Sequence, residues 1–278
     1  MPSDLDHLVI SVSALDQARA RYEALGFTVN ADGIHPFGTY NCCIFFENDT
    51  YLEPLAIKDQ AAYEAAIADK NPFLMTVDDY RKKFDAEGVC CVVFKTKDAA
   101  SDRERFHSSQ FPHRELLAFT RNAKNADGSE TILSVKGAYA VNEEEPAVSF
   151  FTVEWIGDTQ EIAKIRSAPI HANGAIGVTE VSYKGENQSS FDIVDQIQKV
   201  TGTAPLSDGS TFRMNEFTLL ADRHNTGSVK IDYFKVAVKS LAVVKDIFAQ
   251  NNVGHDSQSD KIVVPASDGQ GATIIFQE

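Results

Sequence analysis

Two carboxylates stand where ionised groups are costly. Glu53 follows Tyr51-Leu52 in an apolar, strand-like run, and Glu154 lies beside Phe150, Phe151 and Trp155. A buried carboxylate needs a partner, which a metal ion, an imidazole or a basic group can supply. His7 is the imidazole best placed by pattern, near the start of the run Leu5 to Val12 (LDHLVISV). Strand alternation puts His7, Val9 and Ser11 on one face and Leu8, Ile10 and Val12 on the other. A carboxylate and an imidazole on facing strands support either shared ligation of a divalent ion or a direct His7–Glu53 pair without one. His35, Thr39 and Asn41 flank Gly38. They read either as side chains that stabilise a turn around Gly38 or as a rim that contacts a substrate.

The four cysteines form two adjacent pairs, Cys42-Cys43 and Cys90-Cys91. Neighbours in a strand point to opposite faces, which opposes a four-thiolate zinc site where all sulfurs must converge. Buried free thiols of a reducing compartment are the expectation.

The elements that would position these groups recur. After the first strand, Ser13 and Asp16 make an S-x-x-D helix start, Leu15, Ala18, Tyr22 and Leu25 a helical stripe, and Gly26 a stop. Strands are expected at Phe27 to Asn30, Asn41 to Phe46 and Tyr51 to Ile57, completing a β-α-β-β-β unit. Cys90 to Thr96 begins a second unit, with a helix over Ala99 to Ser108 and strands at Thr131 to Val135 and Val148 to Trp155. Val178 to Tyr183 begins a third, whose helix carries Phe191, Val194, Ile197 and Val200. Ile231 to Val238 (IDYFKVAV) aligns with LDHLVISV without a gap and begins a fourth, closing at Ala272 to Phe276. Units that cannot bury a sheet face alone should pair. The expected fold class is therefore α+β, with four β-α-β-β-β modules paired into two curved mixed-sheet cups and helices outside. The expected domains are residues 1–165, with the candidate site, and 175–278, joined through the polar stretch Arg166 to Gly174. Ala123 to Ser129 and Glu143 to Pro146 are read as surface insertions.

A chain of 278 residues with 43% hydrophobic content fills real cores. Its net charge of −14 argues against nucleic acid, which selects basic surfaces. No apolar run reaches the roughly 18 to 20 residues of a membrane span, and the start lacks a signal-peptide pattern. A cytoplasmic location is the expectation.

Leu5-Asp6-His7, Leu25-Gly26-Phe27, His35-Pro36-Phe37-Gly38-Thr39-Tyr40-Asn41 and Asp49-Thr50-Tyr51-Leu52-Glu53 together resemble the vicinal oxygen chelate superfamily, above all its glyoxalase-like subgroup. The likeness is good over residues 4–57 and recognisable at Ser149 to Trp155 and His171 to Ala175. Over the last hundred residues it is architectural. It implies a metal cup whose ligands come from the first and last strands of two paired modules. Carried over, these are His7, Glu53, Glu154 and, at a place where cysteine departs from the family, Cys91. It further implies Zn, Ni, Mn or Fe as cofactor, Glu53 and Glu154 as catalytic carboxylates, and a lyase or isomerase acting on a small molecule with adjacent oxygens. A non-haem iron dioxygenase, needing a second histidine such as His35, is one alternative. A metal-free protein that sequesters a small molecule is the other. In the second cup Glu180, Tyr233, Thr218 and Ile275 hold the corresponding places, and isoleucine cannot ligate. A small-molecule ligand is the expected partner, and a homodimer is left open.

Overall fold

Leu5–Ser11 forms the first strand, β1, and both of its faces are buried. Leu8 and Ile10 enter one apolar cluster while Val9 enters another, as the alternation requires. The computed structural model describes residues 4–124, 129–142, 145, 149–185, 192–222 and 228–278.

The first module continues with α1 (Leu15–Ala24), β2 (Asp32–Ile34), β3 (Thr39–Cys42), β4 (Ile44–Phe45) and β5 (Tyr51–Ile57). Two helices follow, α2 (Gln60–Ala68) and α3 (Pro72–Phe84). The second module comprises β6 (Gly88–Lys95), α4 (Ala99–Ser108), β7 (Leu117–Lys124), β8 (Glu130–Val141) and β9 (Ser149–Ile156). After the short α5 (Thr159–Ile165) come β10 (Ala175–Lys184), α6 (Ile193–Thr201), β11 (Thr211–Met214) and β12 (Phe217–Asp222). The last module is β13 (Lys230–Val238), α7 (Leu241–Gln250), β14 (Asp256–Ser257), β15 (Lys261–Val264) and β16 (Thr273–Gln277).

These strands form two mixed sheets. The first runs β2-β3-β5-β1-β6-β9-β8-β7, with β4 also on β5, and the second β11-β12-β10-β13-β16-β15-β14. Each sheet is centred on an antiparallel pair of module-opening strands, β1–β6 and β10–β13. Each opening strand lies parallel to its module's closing strand: β1 with β5, β6 with β9, β10 with β12, and β13 with β16. This is the α+β arrangement of paired modules in two curved sheets. Among the described residues the third module has three strands, against five in the first and four in the second and fourth.

The helices α1, α4, α6 and α7 lie outside the cups but inside the molecule. One apolar cluster joins Leu8, Tyr22 and Phe106 of the first half to Ile197, Phe234 and Phe248 of the second. Phe27 stacks on Phe276 with ring centroids 5.8 Å apart, and Phe150 meets Tyr183 at 5.7 Å. Polar contacts reinforce the junction. Tyr22 donates to the Gln270 carbonyl at 3.0 Å, and Arg105 donates to the Lys199 carbonyl at 2.6 Å. His171 accepts from the Thr28 N–H and donates to the Phe45 carbonyl, while Asn173 donates to the Leu25 carbonyl. Both residues therefore tie the linker to the first module.

Several expectations are corrected. Phe27 to Asn30 is not a strand; its backbone turns aside to meet His171, and Asn30 donates to the Cys43 carbonyl. Helix α1 begins at Leu15, so Ala14 takes the cap position and no side chain caps it. The Ser13 N–H is bound instead by Glu87 at 2.7 Å. Gly26 does stop the helix, at φ +84°. Helices α2 and α3 were not expected, and α3 does not lie outside: Phe73, Leu74, Val77 and Tyr80 cover the concave face of the first sheet. Within Glu143 to Pro146 only Glu145 is described, and it is buried and paired with Lys83 rather than at the surface. Residues 125–128 and Phe191 lie outside the described residues. No helix among the described residues is long and apolar enough to cross a membrane.

Phe150 is fully buried where the two halves meet. Phe150→Ala is expected to cost about 3–5 kcal/mol. Urea unfolding followed in both halves should shift as one transition, because the shared core couples them.

Candidate functional site

The two strands that carry His7 and Glu53 are neighbours, β1 and β5, in a parallel register that sets Val9 opposite Glu53. Alternation turns His7 and Glu53 to the concave face, where both line a cavity. His7 Nε2 stands 3.2 Å from Glu53 Oε2, and His7 Nδ1 stands 2.7 Å from Asp6 Oδ1. Arg166 closes the chain by donating to Asp6 Oδ2 at 2.9 Å and to Asp49 Oδ1 at 2.8 Å. The result is a row of alternating charges: Glu53, His7, Asp6 and Arg166.

The protonation states follow from this row. Burial alone would lower the His7 pKa, but hydrogen bonds to Asp6 and Glu53 outweigh it and raise it above the ordinary 6.5. Burial opposes the charge on Asp6, yet Arg166 and His7 hold its carboxyl below 3.8. Burial likewise opposes the charge on Glu53, and His7, His35 and Asn41 hold it below 4.5. His7, lying between two carboxylates, therefore keeps its proton to higher pH than a free imidazole does.

His35, Thr39 and Asn41 lie at the same floor, set by the β2–β3 hairpin. Asn41 Nδ2 donates to Glu53 Oε1 at 2.6 Å and approaches His35 Nε2 at 3.4 Å. His35 Nδ1 lies 2.9 Å from Thr39 Oγ1, and His35 Nε2 lies 3.8 Å from Glu53 Oε1. Burial drives the His35 pKa down to about 4. The ring is neutral at pH 7, and the Asn41 amide N–H that faces Nε2 favours the tautomer with its lone pair there and its proton on Nδ1, toward Thr39. His35 and Asn41 line the cavity, and Thr39 supports His35 from behind.

Glu154 does not join them. On β9 the cavity-lining residues are Phe151, Val153 and Trp155, so Glu154 falls on the other face. There it accepts from the Ala99 N–H at the start of α4 at 3.1 Å and lies 3.7 Å from Lys136. Cys91 is buried opposite Val9 on β6, in the apolar cluster with Tyr139 and Phe151, and does not line the cavity. Burial pushes its thiol pKa well up. The four-donor metal cup implied by the resemblance therefore does not fit these residues: two of its four donors stand away from the cavity. Among the described residues, no three His, Cys, Asp or Glu side chains group so as to hold a metal ion.

The cavity walls were not all expected. His7 stacks on Tyr51 at 4.2 Å, and Tyr51 meets Phe45 at 4.8 Å. Arg166 lies over the Tyr51 and Trp155 rings at 5.3 and 4.8 Å. Trp155 lines the cavity as well. Phe119 and Arg121 reach it from β7, where their alternation was the signal available in sequence. In the second sheet Glu180 accepts from Tyr233 at 2.9 Å and from Lys235 at 3.2 Å, so its carboxylate is internally paired.

Paired modules, parallel opening and closing strands and a concave polar floor define a vicinal oxygen chelate fold. The chain belongs to the glyoxalase-like domain family, whose model matches residues 5–195. Among solved structures it is similar to a hypothetical protein from Staphylococcus aureus, at 12% identity and TM-score 0.72, covering 98% of each chain. It is also similar to a catechol 2,3-dioxygenase, at 10% identity and TM-score 0.55, covering 99% of this chain and 92% of that one. A variant of 4-hydroxymandelate synthase from Streptomyces coelicolor matches at 12% identity and TM-score 0.53, covering 100% and 93%. No curated protein matches the chain in sequence. At these identities the structural likeness concerns the fold.

The pairing makes stability depend on pH from both sides. The raised His7 contribution is fully present below about pH 6.5 and is lost as pH rises through its folded pKa. The lowered Asp6 and Glu53 contributions are present above their ordinary 3.8 and 4.5 and are lost as pH falls through their folded values. Denaturant midpoints should therefore hold a plateau between about pH 4.5 and 6.5 and extend above it. The decline above the plateau should coincide with His7 titration followed by NMR. Glu53→Gln should lower the His7 pKa, because one of the two groups that raise it loses its charge; an unchanged titration would refute the pairing.

Proposed function

We propose that the first cup binds a small, largely aromatic molecule and does so without a metal ion. The observation that carries this reading is the cavity itself, walled by Phe45, Tyr51, Phe119, Phe151 and Trp155 over a floor whose polar groups satisfy one another. Both Glu53 oxygens are engaged, one by His7 and one by Asn41. Glu53 thus has the partner its burial demands without an ion. Fold alone selects no chemistry, and lyase or isomerase activity of the kind the resemblance implies would need donors that Glu154 and Cys91 do not supply here.

One observation favours a second reading. The Nε2 atoms of His7 and His35 both face Glu53, at 3.2 and 3.8 Å, while their Nδ1 atoms are held by Asp6 and Thr39. Two histidines and a carboxylate are the donor types of non-haem iron dioxygenases, and catechol 2,3-dioxygenase is among the similar structures. That donor set would require His7 to lose the proton it shares with Glu53 and the three groups to close further.

Elemental analysis and dye binding separate the readings. Protein purified without chelators or a histidine tag should carry substoichiometric transition metal. It should also enhance Nile red fluorescence. Val153→Trp, which fills the cavity, should abolish the enhancement while leaving the thermal melt in place. Stoichiometric iron would favour the dioxygenase. No dye response in the wild-type protein would remove the binding cup as a proposal.

A further inference from the structure

We infer that the ligand is an aromatic carboxylate, its anionic end received by Arg121 and its ring by the aromatic wall. This rests on the cup being a small-molecule site and names the class of molecule it selects.

The charges around the cavity are uneven. The charged side chains lining it are His7, Glu53 and Arg121. His7 and Glu53 neutralise each other across 3.2 Å, and behind them Asp6 is balanced by Arg166 at 2.9 Å. Arg121 remains, with no carboxylate within ion-pair distance among the described residues. Among the described residues its hydrogen bond is a long contact to the Asn122 carbonyl at 3.3 Å. The cup thus has a local positive excess in a chain whose overall charge is −14. A low-dielectric wall amplifies that local excess over the distant surface charges.

Hydrogen-bonding capacity points the same way. Arg121 Nε and Trp155 Nε1 are buried without a partner, and both side chains line the cavity. Both are donors only. Among the described residues, no buried oxygen or nitrogen acceptor on a lining side chain is left without a partner. A ligand rich in acceptors satisfies such a wall, and a cation or a pure donor does not.

The position of Arg121 is built by the fold. The first sheet curls until β7, at one end, approaches β2, at the other. Gly33 on β2 lets the guanidinium in. A Cβ there would fall 2.5 Å from Asn41 Oδ1 and 2.9 and 3.0 Å from the two terminal nitrogens of Arg121. Arg121 therefore stands at the seam of the closed cup, beside the Asn41–Glu53 floor and across from the aromatic wall.

Three probes of nearly equal shape test this: phenylacetate, 2-phenylethanol and 2-phenylethylamine, titrated calorimetrically into the full chain. Phenylacetate should bind at least about 10-fold tighter than the alcohol, the value of one charge-assisted hydrogen bond, and the amine should be weakest. Arg121→Leu should erase the preference for phenylacetate, weakening the carboxylate about 10-fold more than 2-phenylethanol. Arg121→Lys, which keeps the charge and loses the planar fork, should retain part of the preference. Trp155→Phe keeps a ring and loses the donor, and should weaken phenylacetate more than the alcohol. Equal binding of all three probes, tighter binding of the amine, or a preference that survives Arg121→Leu would overturn the inference. Nile red binding with no response to any probe would also overturn it and leave the cup standing. Failure of the dye as well would remove both.

Discussion

A carboxylate buried at the floor of an apolar cup is the constraint around which this molecule is arranged. Burial opposes the charge on Glu53, and His7, with His35 and Asn41, holds its carboxyl low; His7 in turn is held toward its protonated form by Asp6 and Glu53 on its two nitrogens. Arg166 then balances Asp6 and, lying over Tyr51 and Trp155, also stacks on the wall of the cavity. Breaking any link would leave an uncompensated charge out of water, which is far costlier than the pair is favourable. Electrostatics and aromatic packing are thereby joined in one structure, because the residue that ends the charge row also covers the rings.

The rest of the first half serves to hold that row dry. Helix α3 closes the concave side with Phe73, Leu74 and Val77, and the curl of the sheet brings β7 back to β2. On the convex side, the helices of one half pack against those of the other, so the second sheet acts as the support on which the first is built. The second half shows what the same topology does without the buried pair. Glu180 there is met by Tyr233 and Lys235 from an adjacent strand and remains partly exposed, and Ile275 lies in register with Lys235 on the neighbouring strand.

The departure from the family pattern has a definite geometric cause. A side chain on a strand changes face with every residue, so Glu154, next to the lining residues Val153 and Trp155, is turned toward α4. It serves as an acceptor at the start of that helix, a place where negative charge is favoured. The second module thus contributes apolar and aromatic surface where the paired-module pattern implies ligands. Cys91 lies behind that surface as a buried thiol in the apolar cluster.

By itself the sequence determined what depends on local periodicity. The strand alternation of LDHLVISV, the matching run at IDYFKVAV and the helices that follow each were legible, and so were the four modules and the shared face of His7 and Val9. The need for a partner at Glu53 was legible too, because a carboxylate between apolar neighbours demands one wherever it lies. Helices α2 and α3 were missed because they fall between modules and carry no repeat. Only the tertiary structure decided which partner Glu53 takes, that Glu154 faces the helix, and that Arg121 arrives beside Gly33. Those outcomes turn on strand register and sheet curvature. Each is set by contacts between residues far apart in the chain, where a shift of one position exchanges the two faces of a strand.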